Sequence, residues 1–479
     1  MQDKGYFMKA KAKSHQLDML HGSIWNKLPR FALPVAATAI LEQLFNASDV
    51  AVVGNFAGDA AEKTAAVAAV GANTAIIGLI VNLFVGIALG ANVVIANAIG
   101  RDDKDAVHRA VHTSILVALL GGAAIAVIGE LIAGTLLHSL NVPDDVYPLA
   151  LLYLRIYLLG MPVILLYNFE AAIFRSIGDT KVPLIALACS GVLNVILNLF
   201  FVAVLGMTVN GVAIATVISN ALSSLILFIR LIRTDKYIKL EPRSLRIDGQ
   251  SMKLILKIGL PAGIQSAVFS LSNIVIQSAI NSLGKVVMAA SSAALNIELL
   301  AYYVLNSFSQ ACTTFVGQNY GARQIDRCRK TLLLSILEDF IASAIAIGIV
   351  LLSGRFLLSI FNSDPEVIEI GYTRLIYLFS AYVFSMLYEV LSGYMRGFGI
   401  SLIPAILTTI GVCGIRIFWI NFVFPQNPTF TTIMTVYPIS LSSTALLIGI
   451  ALLCFRPAHR YFKKKRKTPY TMQTASELR

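Results

Sequence analysis

Three polar residues, Glu42, Asn46 and Asp49, interrupt an apolar stretch that runs from Phe31 to Val53. Their i, i+4, i+7 spacing puts them on one stripe if the stretch is helical. It is long enough to cross a bilayer. Carboxylates are costly in hydrocarbon, and by default they mark the path of an ion or a substrate. Asp49 stands towards the outer end of the span and Glu42 lies deeper. Burial there disfavours the charged form, so either carboxyl can take up a proton or hold a cation. The chemistry expected is reversible binding of a positive particle.

Asn194 and Asn198 form an i, i+4 pair in a later apolar run. Carboxamides offer neutral oxygen ligands and donors that orient an acid, or they tie helices together. In the second half, Gln265, Asn273 and Gln277 step along one helical face. Glu298 and Glu389 are further intramembrane acids able to meet a cationic substrate, and these five residues are the candidates for a substrate cleft. Glu338 and Asp339 are adjacent, so at most one should face such a cleft, and Arg155, Arg374 and Arg416 are bases able to pair with the acids. His108 and His112 follow Asp102, Asp103 and Asp105. They read as the solvated face of a surface helix, not as metal ligands. Nucleotide-cradling loops, zinc-protease helices and nucleophile elbows are all missing from the sequence. Neither an enzyme nor a cofactor is expected.

These residues need a membrane scaffold. Hydrophobic residues make up 57% of the 479 and charged ones only 13%, too few to cover a soluble protein of this size. An all-α integral membrane protein follows. Its twelve spans fall near 31–54, 67–98, 113–137, 147–170, 184–206, 209–233, 254–281, 287–318, 331–352, 366–392, 402–424 and 432–455. The expected layout is a tail (1–30), a six-helix lobe (31–233), a connector (234–253), a second six-helix lobe (254–455) and a basic tail (456–479). Alternate loops are basic (Arg101 to Arg109, Arg175 and Lys181, Arg230 to Arg246, Arg323 to Lys330), as are both tails, which include Lys4 to Lys13 and Lys463 to Lys467. The opposite loops carry acids such as Asp59, Glu62, Asp144, Asp145, Asp364 and Glu366. The positive-inside rule then puts both termini in the cytoplasm. Topology accounts for the net charge of +12, with no nucleic-acid partner. Five scattered cysteines give no disulfide framework.

The chain also repeats itself. Leu166-Tyr167, Arg175, Gly178 and Pro183 recur 221 positions on as Leu387-Tyr388, Arg396, Gly399 and Pro404. Leu33-Pro34 and Asn46 recur 227 positions on as Leu260-Pro261 and Asn273. Each half has an even number of spans, so the lobes should be related by a pseudo-two-fold axis along the membrane normal. Pro34 and Pro261 are hinge candidates in the first helix of each half. At the 227 shift, Glu42 and Asp49 meet Phe269 and Ile276. The acids belong to the first half alone.

The chain resembles the multidrug and toxic compound extrusion (MATE) family, part of a larger flippase superfamily. The resemblance is carried by Leu33-Pro34, DVAVVG from Asp49 to Gly54, GANVVIANAIG from Gly90 to Gly100 and FRSIGDTKVP from Phe174 to Pro183. Asn194 to Asn198, FVGQNYGA from Phe315 to Ala322 and MRGFG from Met395 to Gly399 add to it. It implies twelve helices in two lobes and export of organic, mainly cationic, compounds against entry of H⁺ or Na⁺. By the same resemblance Asp49, Asn194, Asn198 and Thr216 match the family's cation site, while Asn198 stands where some members carry an acid. Ser385 stands where others place an acid, and Glu389 lies one turn beyond it. A monomer in the plasma (inner) membrane, handling amphiphilic small molecules, is the expected state. The alternatives are a lipid-linked precursor flippase, which calls for a strongly basic cleft, and an intramembrane enzyme, for which no nucleophile–base pair is visible.

Overall fold

A computed structural model describes residues 17–139 and 142–459. The basic residues Lys4 to Lys13 and Lys463 to Lys467, with most of both expected tails, lie outside that range. Nine described helices are long and apolar enough to span a membrane: α2 (Ala60–Gly100), α3 (Lys104–Ser139), α6 (Lys181–Leu199, continued by a π-turn at Phe200–Val204), α7 (Val209–Arg233), α8 (Gly249–Asn281), α9 (Lys285–Gly321), α10 (Ile325–Phe361), an eleventh span containing α13 (Leu402–Thr408) and α14 (Ile415–Phe418), and α15 (Phe430–Phe455). Two spans are bent pairs, α4 (Tyr147–Leu159) with α5 (Met161–Ser176) and α11 (Pro365–Ser380) with α12 (Tyr382–Gly397). With the acid-bearing α1 (Leu28–Phe56) they complete twelve. Leu352, Leu131 and other large apolar side chains are exposed on outer faces, where lipid takes the place of a protein partner.

Pro34 and Pro261 sit inside α1 and α8, each continuous through its proline. The sharp bends lie elsewhere, 50° at Gly160 and 48° at Ala381. These two positions are also 221 residues apart. Only the first has a nearby helix-breaking signal, Pro162.

The lobes meet through α2 and α8, which belong to different halves. Gly86 and Gly90 face Gly259 and Gly263 so closely that a Cβ on Gly86 would land on the Gly263 backbone. Small residues allow this approach between membrane helices. The seam continues towards the ends bearing the basic loops. There Thr314 Oγ1 donates to Asn92 Oδ1 (3.0 Å), Arg175 donates to Gln310 (2.7 Å) and Gln318 donates to the Ser176 carbonyl (2.7 Å). Residues preceding α1 strap the same side: Arg327 of α10 donates to the carbonyls of Met19, His21 and Gly22. The basic side is closed.

His112 corrects the surface-helix reading. It lies within α3, is buried, donates from Nδ1 to the His108 carbonyl (2.7 Å) and accepts the Glu241 N–H at Nε2 (3.1 Å). His112 therefore anchors the connector between lobes, assisted by Asp248 near Arg109 (3.9 Å).

Candidate functional site

Asp49 projects from α1 into its own lobe, only 5% exposed. Gly191 on α6 makes room for the Phe45 ring, which lets α1 and α6 lie close. Asn194 and Asn198, one turn apart on α6, and Thr216 on α7 then converge on the acid. Asn198 Nδ2 donates to Asp49 Oδ1 (2.6 Å) and to Asn194 Oδ1 (3.1 Å). Thr216 Oγ1 donates to Asp49 Oδ2 (2.9 Å) and accepts from Asn194 Nδ2 (3.3 Å). The four side chains close a ring.

The electrostatics of the ring are one-sided. Its partners for Asp49 are neutral, so the lobe buries a carboxylate stabilised by donors alone. Asn198 Oδ1 is buried and accepts no hydrogen bond. The ring thus combines one carboxylate, three neutral donors and one spare carboxamide oxygen, groups able to hold a proton or a small hard cation. Among the described residues no three His, Cys, Asp or Glu side chains cluster as metal ligands.

Glu42 and Asn46 share α1 with Asp49 but stay outside the ring, and both are exposed. Glu42 lies within electrostatic reach of Arg175, Tyr157, Tyr167 and Tyr303, which places it at the cleft between lobes and not in lobe packing. The five second-half candidates divide between two cavities that share Tyr302. Gln265 and Glu389, both buried, line the one between the lobes, where Arg396 donates to Gln265 (3.2 Å). Asn273, Gln277 and Glu298 line the other. Glu298 pairs with Arg374 at 3.0 Å, and Asn273 accepts from Arg416 at 3.2 Å. Arg155 pairs with Glu130 (3.4 Å). Glu338 and Asp339 are both buried on α10 and line neither cavity.

The MatE family profile matches residues 34–200 and again 261–421, most of the chain. The chain belongs to the MatE family. The two matches are offset by 227 at their starts and 221 at their ends, the same two shifts that the internal repeat shows. Among the relatives of this MatE chain, the probable multidrug resistance protein YoeA of Bacillus subtilis (strain 168) is 26% identical, covering 82% of this chain and 86% of its own. The probable multidrug resistance protein NorM of Thermotoga maritima is also 26% identical, over 82% and 84%. A solved outward-facing multidrug resistance MATE transporter of the MOP superfamily aligns with a TM-score of 0.82 at 22% identity, covering 94% of this chain and 98% of that one. The twelve-helix, two-lobe architecture is thus the MATE fold.

Two features of this MatE site escaped the sequence. Tyr153 and Tyr157, an i, i+4 pair on α4, lie within electrostatic reach of Asp49, and their spacing was the available signal. The other is the number of guanidiniums on the cavity walls. Arg175, Arg374, Arg396 and Arg416 all line them, although of these only Arg374 and Arg416 had been expected within the membrane, as bases able to pair with the acids. Nothing in the spacing of single arginines reveals which way each points.

Proposed function

We propose that this MatE chain is a secondary antiporter that exports small organic compounds, cationic ones among them, in exchange for H⁺ or Na⁺. Family membership makes it a multi-pass transporter of the multidrug efflux type. The coupling ion, the substrate preference and the plasma-membrane location with both termini in the cytoplasm belong to the proposal. The observation that carries it is the ring around Asp49. A buried carboxylate held by neutral donors stays poised for a positive particle, and occupation removes the cost of its charge.

Coupling follows from linkage. The cation and the substrate must favour opposite arrangements of the lobes. With the basic side closed along α2 and α8, the lobes are set to load the ion from the acidic side. Loading Asp49 lets α1 repack against α6 and α7 and changes the cleft wall that carries Glu42.

In proteoliposomes, Asp49→Asn should still bind substrate but lose exchange driven by an imposed proton or sodium gradient. Normal gradient-driven exchange by that variant would end the proposal. Running the assay with and without Na⁺ separates the two ions. Four cavity arginines give the lipid-precursor flippase some support. Glu298 and Glu389 line the same cavities and offset two of those charges, however, and the cleft is not strongly basic.

A further inference from the structure

Where the first lobe buries an acid, Asp49, the second buries a charge of the opposite sign, Arg416. At the shift of 221, Asn194 and Val195 correspond to Ile415 and Arg416, and Thr216 corresponds to Tyr437; at the shift of 227, Asn46 corresponds to Asn273. Of the first-lobe ring only Thr216 has its counterpart here, Tyr437, and Arg416 meets it together with Asn273. Arg416 is 3% exposed and has no carboxylate partner among the described residues. Its Nε donates to Ser440 Oγ (3.4 Å) and its Nη1 to Asn273 Oδ1 (3.2 Å), both long contacts. Nη2 donates to none of the described residues. The guanidinium lies over the rings of Tyr437 (4.6 Å) and Phe269 (5.3 Å).

The second arginine in this cavity is different. Arg374 spends its donors on Glu298, Ser291 Oγ (2.7 Å) and the Tyr437 hydroxyl (3.5 Å). The cavity therefore holds two guanidiniums against one carboxylate, and the uncompensated charge is that of Arg416. A buried charge left without a counter-charge is costly. The backbone is also built around it: α14 is a four-residue α-helical stretch between π-turns at Thr409–Gly414 and Trp419–Val423. Such turns redirect side chains and are frequent at functional sites.

We propose that this cavity is an anion subsite for aromatic organic carboxylates. The carboxylate docks on the free edge of the Arg416 guanidinium, whose planar fork matches it. The aromatic body lies against Phe269, Tyr302 and Tyr437. The subsite rests on the reading of the chain as an exporter, and it widens the substrate class beyond cations.

The test is equilibrium binding to the purified full chain of 2-naphthylacetate, its methyl ester and 2-naphthylethylammonium. Wild type should bind the carboxylate about ten-fold or more tightly than the ester, as loss of a charged hydrogen-bonded pair implies. Arg416→Gln should bring the two within about two-fold while leaving the ammonium compound unaffected, and Arg416→Lys should keep part of the preference. Wild type binding ester and carboxylate alike would overturn the proposal even if the variant fails to fold. So would a folded Arg416→Gln protein that keeps the preference. Asp49→Asn should retain the carboxylate preference, so a failure of ion coupling and a failure of this subsite read out separately.

Discussion

The proposed cation site at Asp49 is small: one acid, two amides and a hydroxyl, each held by a different turn of helix. The donors orient the acid, and Asn198 keeps a buried oxygen without a partner. Thr216→Ala removes the Oδ2 donor. The empty carboxylate loses a stabilising donor, so the proton concentration for half-maximal exchange should fall about ten-fold, the worth of one hydrogen bond to a charged group. Asn198→Ala should shift it further in the same direction, because it deletes a donor to Asp49 and a link to Asn194 together. Exchange rates titrated against the coupling ion check both, and unchanged half-saturation in Thr216→Ala would remove the ring from the mechanism.

The decisive features among the elements are close crossings and local bends. Gly263 packs so tightly on α2 that a Cβ there would strike the Leu83 carbonyl. Gly263→Val should force α2 and α8 apart and open the basic side. A cysteine placed at Ser266, on the wall of the inter-lobe cavity, should then react with an impermeant maleimide added from that side. Continued protection would show that the seam closes by other contacts. Arg327→Ala should act in the same direction more weakly, since it frees only the strap at residues 19–22. The bends at Gly160 and Ala381, matched across the repeat, shape the inner wall in both lobes.

For the whole molecule, the prediction concerns rigid-body motion. If transport requires the lobes to part on the basic side, a covalent tie there must stop it. Asn92 and Thr314 face each other across the seam at 3.0 Å between side-chain oxygens. Cysteines at both positions, with the exposed Cys189 and Cys454 replaced by serine, should cross-link under mild oxidation. Transport should fall to background and return on reduction. Undiminished transport by the cross-linked protein would exclude lobe separation at this seam.

Hydropathy and period were enough to reveal twelve spans, the duplication with its two offsets, and the stripe bearing Asp49. A helix that must face both lipid and lobe declares its faces through side-chain order. Asn194, Asn198 and Thr216 were legible because they lie one turn apart or in a recognisable motif. The sequence left the division of labour between Asp49 and Glu42 undecided, since both lie on one stripe and only helix crossing turns one into a lobe and the other to the cleft. It gave the arginines without their directions and hid His112 behind a surface-like pattern. Tertiary packing decided these, because the environment of a side chain depends on which helices cross it, and α2, α6, α8 and α15 reach these sites from distant parts of the chain.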